Sequence, residues 1–322
     1  MCFYHGMECS VSITSIRFYL LRYDYIRLTI SMNFKSLFRK KRSHLWLLAA
    51  LLTSCSFGIN NTIFKWSNTK GYSKIHIQFF FYISAFFLTL GFSLSSGKYH
   101  IHLLAIVLGA TIGILNAYGN LQMSHAFDNG PASLTSPLIA ANTLFPILCA
   151  GLIFKEHITL VQWVGILSML GAALLIQYSP KASKNDHYTL WMLHILLAIF
   201  SFGVLGILMQ VSSHLHIESV EVLTAMYGGG SAYLLITMIR KKEKVQHSEV
   251  KIGVAVSMLS LIGYSCYFYA LNTGISSIVF PIVSLNCLVV VFIGCYLYKE
   301  RLKLYQMAGV AIALIGIILT KI

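Results

Sequence analysis

LTSPLIAANTLFPILCAGLIFKE, residues 134 to 156, and IVFPIVSLNCLVVVFIGCYLYKE, residues 278 to 300, are one pattern written twice, 144 positions apart. Each run is apolar enough to cross a bilayer, yet each carries a helix-breaking proline, Pro137 or Pro281, and a full amide five positions on, Asn142 or Asn286. The same offset aligns Ala126, Gly130, Ser133, Lys155, Glu156, Leu160, Gln162 and Gly165 with Ala270, Gly274, Ser277, Lys299, Glu300, Leu304, Gln306 and Gly309, without a gap. Chance leucine matches are cheap in such a composition; matched Pro, Asn, Glu and Gln are not. An offset of 145 pairs Leu45, Trp46, Ser56, Phe57 and Gly58 with Leu190, Trp191, Ser201, Phe202 and Gly203, so one residue of loop length separates the two registers. Self-similarity of this kind marks a duplicated unit.

Of the 322 residues, 57% are hydrophobic and 11% charged, against roughly 45–50% and 25% in a soluble domain. A helix needs about 20 mostly apolar residues to span the hydrocarbon. Ten such runs follow one another, at 45–65, 75–95, 101–121, 131–154, 158–178, 188–210, 218–239, 252–271, 275–298 and 304–320. The short loops between them leave no room for an extramembrane domain. The expectation is an all-α integral membrane protein of ten transmembrane helices. Its first repeat covers 43–179 and its second 187–322. Five helices per repeat is an odd number, which turns the two repeats opposite ways up. Inverted repeats are an architecture of secondary transporters, with the binding site near the midplane where the halves meet.

The formal charge of +14 does not signal nucleic acid. The Lys and Arg residues sit at helix ends and in loops, without an aromatic-interleaved stripe, and read as topology signals and headgroup contacts. Residues 1–42 form an N-terminal extension ending in the basic cluster Arg39, Lys40, Lys41 and Arg42. Within it, Arg17, Arg22, Asp24 and Arg27 interrupt the apolar stretch 15–30 and exclude a membrane span. The sequence from Met32 reads like a natural start, so residues 1–31 are expected to be dispensable or not native. Seven cysteines, five of them inside spans and none in CxxC spacing, argue against a disulfide framework or a zinc site.

The block from Ala126 to Leu175 and its copy from Ala270 to Leu319 resemble the EamA-type repeat of the drug/metabolite transporter superfamily. The family pattern carries a Pro inside the fourth helix, a Glu at the turn into the fifth, and a Gln with glycines in the fifth. Both copies keep all of these: Pro137, Glu156, Gln162 and Gly165, then Pro281, Glu300, Gln306 and Gly309. The resemblance covers roughly residues 43–321. It implies a multi-pass carrier in a cell membrane, by analogy a bacterial inner membrane, moving a small organic solute without a cofactor. The family's solutes run from amino acids and sugars to nucleotide precursors, amines and drugs. Some small relatives use a first-helix glutamate to exchange protons with cationic drugs. Neither the first span here nor the sixth has one, which lowers the expectation of a proton-driven multidrug antiporter.

Pro137 and Pro281 lack a backbone donor and crowd the carbonyls of Ser133 and Ser277, opening the helix locally. These residues read as kinks for packing, as hinges shaping a pathway, or as both. Asn142 and Asn286 lie mid-span, where an amide facing lipid is costly. They face protein or water, either as interhelical ties worth about 0.6–2 kcal/mol or as solute contacts. Further polar candidates for the pathway are Asn60, Asn61, Asn116, Tyr118, Asn120, Gln210, Tyr264 and Tyr267. Phenol rings offer stacking and a hydrogen bond to a small organic molecule, while tyrosines near span ends also suit the headgroup belt. Glu156 and Glu300 are expected to cap the helices that follow, and Gln162 and Gln306 to join the bundle. Glu221 is the one acid within a hydrophobic stretch, or else sits at the interface. His194 reads as a titratable group or a satisfied core histidine. Gly109, Gly113 and Gly228–Gly230 offer small faces for close packing.

Other signals fail. GFSLSSGK at 91–98 has five residues between its glycines where a phosphate-binding loop has four, and Tyr99 where that loop has a hydroxyl. The His-x-His pairs at 100–102 and 214–216 cannot face one way on a helix, and no HExxH, GxSxG or paired carboxylates appear. The chain is expected not to be an enzyme and to hold no metal or cofactor. The basic cluster before the first span puts both termini in the cytoplasm, while the loop 240–251 then falls outside with its lysines. The positive-inside rule therefore pulls both ways on orientation. The functional expectation is alternating-access export of an amino acid or metabolite. Uptake of a sugar or choline-like amine, or a non-transporting scaffold, are the alternatives. The partners are the lipid bilayer and the solute, not nucleic acid, and a homodimer is left open.

Overall fold

The computed structural model describes residues 45–95, 102–155, 159–177, 186–241, 244–297, 299 and 303–319, and every regular element among them is helical. Three unbroken helices come first: α1 (Leu45–Thr69), α2 (Lys74–Ser95) and α3 (Leu103–Asn129). An interrupted run follows, made of α4 (Ala132–Ile139), a 3-10 turn (Ala140–Thr143) and α5 (Leu144–Leu152). Next come α6 (Leu160–Gln177), α7 (Asp186–His214), α8 (Ser219–Lys241) and α9 (His247–Thr273). A second interrupted run, α10 (Ser276–Ser284) and α11 (Asn286–Leu297), leads to α12 (Leu304–Leu319).

Among the described residues, eight runs are long and apolar enough to cross a membrane, with α4–α5 and α10–α11 each counting as one. They match eight of the ten expected spans; α6 and α12, at the positions of the fifth and tenth, are not among them. α6 has 18 residues and α12 has 16. The residues that follow Gln177 and Leu319 lie outside the described ones. The two pack on each other as a pair. Large apolar side chains such as Phe87, Phe92, Leu103 and Phe292 point outward, while Asn60, Gln78, Asn116 and Gln210 are buried. A water-soluble fold would reverse this arrangement.

The halves interlock rather than stand apart, since α3 packs on α7 and α8, and α2 on α8 and α9. The α3–α8 contact is backbone on backbone: a Cβ on Gly113 would stand 1.9 Å from the Met226 carbonyl oxygen. Glycine is needed there because nothing larger lets the two helices approach so closely. Direction is readable from two ion pairs on the first turn of α2. Asp128 at the end of α3 meets Lys74, and Glu249 at the start of α9 meets His76. The counterparts α3 and α9 therefore run opposite ways.

The interruptions are local consequences of sequence. Both helices continue through their prolines, Pro137 in α4 and Pro281 in α10. The departure from α geometry comes a turn later, at Ala140–Thr143 and at Leu285. The opening read from sequence at Ser133 and Ser277 is thus displaced toward Asn142 and Asn286. Side chains there stabilise the bent backbone by bonding back onto it: Thr143 Oγ1 donates to the Ala140 carbonyl (2.9 Å), Ser284 Oγ to Phe280 (3.0 Å) and Asn286 Nδ2 to Val283 (2.9 Å). Such back-bonding bends helices. The first break is the wider because Pro146 cannot supply the bond that would reach back to Asn142, whereas its counterpart Val290 can. After each broken run the chain turns through a left-handed lysine, Lys155 (φ 54°) and Lys299 (φ 52°). The duplication is kept down to one backbone torsion.

Candidate functional site

A cavity of about 120 Å³ lies where the breaks meet. α1 supplies Asn60 and Asn61, and α3 supplies Asn116 and Asn120. The first break supplies Asn142 and Thr143, α9 supplies Ser260, Tyr264 and Tyr267, and the second break supplies Ser284 and Asn286. Phe57, Phe202 and Phe280 add apolar wall. Among the described lining residues none carries a formal charge.

Eight of the ten pathway residues singled out from sequence line this space: Asn60, Asn61, Asn116, Asn120, Asn142, Tyr264, Tyr267 and Asn286. Tyr118 and Gln210 do not. Two residues after Asn116 on a helix is about 200° around it, so Tyr118 turns away toward Tyr233 of α8. Asn120, four residues on, returns to the cavity. Gln210 lies one turn past Gly206, the last α7 residue at the cavity, and is fully buried with neither amide atom bonded.

The cavity's polar groups are only partly satisfied. Asn60 Nδ2 donates to Ser260 Oγ across the two halves (2.9 Å), leaving Asn60 Oδ1 without a partner, and Asn116 Nδ2 has none either. These side chains are 4% and 2% exposed. Buried polar groups ordinarily find partners, and these two atoms are left without one. The aromatic side is self-packed: Phe57 and Tyr264 ring centroids stand 4.7 Å apart, Tyr267 and Phe280 5.9 Å.

The remaining candidates lie elsewhere. Glu221 falls in the first turn of α8, and His194 Nδ1 donates to Gln122 Oε1 (2.6 Å) while the ring stacks on His125. Neither lines the cavity. Gln162, expected in the bundle, is buried and also caps α6: its Oε1 accepts from the Thr159 backbone N–H (2.9 Å), and Thr159 Oγ1 accepts from the Gln162 N–H (3.3 Å). This is a Thr-x-x-Gln capping box, a spacing visible in the sequence. Gly165 is buried on α6 and Gly309 on α12. Glu156, Glu300 and the Gln306 side chain lie outside the described residues.

One cluster had no sequence signal. Glu249, 1% exposed, accepts from His76 Nδ1 (2.8 Å), the Ser73 backbone N–H (2.7 Å) and the Gln246 backbone N–H (2.9 Å). It joins the starts of α2 and α9, and so ties the halves at the end of the bundle where α1 gives way to α2. A further tie between the halves at that end runs from Trp191 Nε1 to Thr135 Oγ1 (2.9 Å), while Lys65 Nζ donates within the first half to the Phe127 carbonyl (2.6 Å). Among the described residues, no group of three or more His, Cys, Asp or Glu is placed to hold a metal.

Comparison with known proteins agrees with this architecture. The EamA-like transporter family matches twice, over residues 44–178 and 189–322. An uncharacterized protein of Methanocaldococcus jannaschii is 33% identical over 95 residues, 29% of this chain and 69% of that protein. A protein of known crystal structure superposes with a TM-score of 0.65 at 11% identity, covering 88% of this chain and 98% of the other. At that identity the likeness concerns fold alone.

Proposed function

The chain belongs to the EamA-like transporter family, and we propose that it works as a secondary carrier, moving a small organic solute through the midplane cavity by alternating access. The observation carrying this reading is the convergence of the two helix breaks, with Asn142 and Asn286, on one polar cavity. Interrupted helices at membrane depth are tolerated where they line such a space. The pathway residues are Asn60, Asn61, Asn116, Asn120, Asn142, Tyr264, Tyr267 and Asn286. Inverted five-helix halves, with α6 and α12 completing ten spans, rock against each other. Access from the α1–α2 end opens when the Glu249 ties part.

Export of an amino acid or metabolite from the cytoplasm of a bacterial cell is the first reading, by family analogy. Uptake of a nutrient is the second. Reconstituted protein loaded with a mixed metabolite pool is expected to exchange at least one component. The double variant Asn142→Leu with Asn286→Leu should reduce that exchange to background while keeping its elution profile. A protein that exchanges nothing, yet purifies in a stable complex, would be a scaffold on the same fold.

A further inference from the structure

We propose that Tyr82 and its duplicate Tyr227 are positioning residues of the solute site, holding from behind the side chains that the solute meets. This rests on the carrier reading and deepens it.

The duplication points to them first. α2 and α8 start at Lys74 and Ser219, the same 145 positions apart that relate α1 to α7. That offset carries Tyr82 onto Tyr227. Both are fully buried, and neither lines the cavity, although Phe81 beside Tyr82 does. The two rings meet edge to face across the halves, with centroids 5.9 Å apart. This packing uses only the ring, so phenylalanine would fill either place. The hydroxyls need another reason.

Their surroundings supply one. The Tyr82 hydroxyl ends against the side chains of Asn116 and Asn120, one turn apart on α3, and both amides line the cavity. Asn116 also lies against the Tyr264 phenol, which places it between a tyrosine of the cavity wall and one behind that wall. Tyr227 stands in the corresponding place behind α9, its ring edge-on to Tyr264 at 6.3 Å. These are contacts rather than closed hydrogen bonds, since neither Tyr82 Oη nor Tyr227 Oη has a bonded partner. A phenol donates to an amide oxygen and accepts from an amide nitrogen. Closing such a bond fixes which end of Asn116 or Asn120 turns toward the solute. An unbonded buried hydroxyl adds nothing to folding over phenylalanine, so its contribution lies in that orientation.

The glycine triplet of α8 is the seat. Gly228 faces Phe86 of α2, Gly229 the α3 backbone at Ala110, and Gly230 the Tyr82 ring. A Cβ on Gly230 would stand 2.3 Å from Tyr82 Cδ1 and Cε1. The ring has no room to withdraw toward α8, and its hydroxyl is held at α3.

The test uses the full chain in proteoliposomes, exchanging a defined pool of amino acids, hexoses, nucleobases and choline, with each component followed by mass spectrometry. Tyr82→Phe should elute as the parent does and melt at the same temperature or higher. Its half-saturating concentration for an exchanged component should rise by about three- to tenfold, with the maximal rate changing less. Tyr227→Phe should act in the same direction through Tyr264, and by less. Phe86→Leu loosens the same helix pair at Gly228 without reaching an amide; it should lower the rate and leave half-saturation alone. Unchanged half-saturation in Tyr82→Phe, or a Tyr82→Phe that melts lower and only slows exchange, would overturn the positioning role and leave the carrier standing. No exchange of any component by the parent would overturn both.

Discussion

The two halves share a scaffold and differ in what they show the cavity. At one offset, Asn116 and Asn120 of α3 correspond to Ser260 and Tyr264 of α9, Met123 to Tyr267, and Ser136 to Phe280. At the other, Asn60 and Asn61 of α1 correspond to Leu205 and Gly206 of α7. All of these positions line the same space, so the duplication placed them symmetrically. The first half brings five amides to its share, and the second one amide, two phenols and two serine hydroxyls. What stayed constant is what bends the backbone: Pro137 and Pro281, Asn142 and Asn286, the left-handed Lys155 and Lys299. Architecture is carried by the residues the halves share, and chemistry by those they do not.

The largest effect is expected at the seam between the halves. Gly113→Leu drives a side chain into the α8 backbone, which has no flexible end to yield. The expected cost lies at or above the roughly 3 kcal/mol upper range of overpacking, read as loss of the monodisperse peak in size-exclusion chromatography. Gly171→Leu, where a Cβ meets nothing within 4 Å, should elute as the parent does.

Next in size is the tie between the halves. Glu249→Gln keeps the shape but replaces a carboxylate that accepts three bonds; about 2 kcal/mol of stability should be lost, visible as a lower melting temperature. Glu221→Gln, at a helix start with no second half to hold, should change it little. If the two variants melt alike, Glu249 is not a tie.

A finer probe exchanges the walls. Asn116→Ser combined with Ser260→Asn moves one amide across the pseudo-symmetric pair with little change in volume. Folding should be retained, while solute affinity falls about tenfold because the open donor has moved. Unchanged affinity would mean that the walls are interchangeable.

Smallest is the effect at a helix cap of the first half. Thr159 begins the capping box of α6, and Lys303 stands at the matching position before α12. Thr159→Ala should cost about 1 kcal/mol in a denaturation series, without altering exchange.

Much of the scaffold was legible because its signals are local. Apolar runs of fixed length, a proline without its N–H, and matched polar residues at one offset can be read without knowing any neighbour. Most of the lining was legible for a related reason: amides at the middle of apolar spans have few places to go. The misreadings arose where local signals end. Tyr118 sits beside Asn116 in the sequence but about 200° away on the helix. Glu249 looked like one charge in a basic loop, since its partners Ser73 and His76 lie more than 170 residues away.

The sequence by itself determined a duplicated set of apolar helices, the residues at which two of them bend, and the membrane as their solvent, because each of these follows from covalent chemistry and composition within a short window. Only the tertiary structure decided that the bends meet at one cavity whose described lining is uncharged, that Asn60 Oδ1 and Asn116 Nδ2 are left without partners, and that a buried carboxylate fastens one end. Which groups are satisfied depends on contacts between segments far apart in the chain, and no window along the sequence contains both partners.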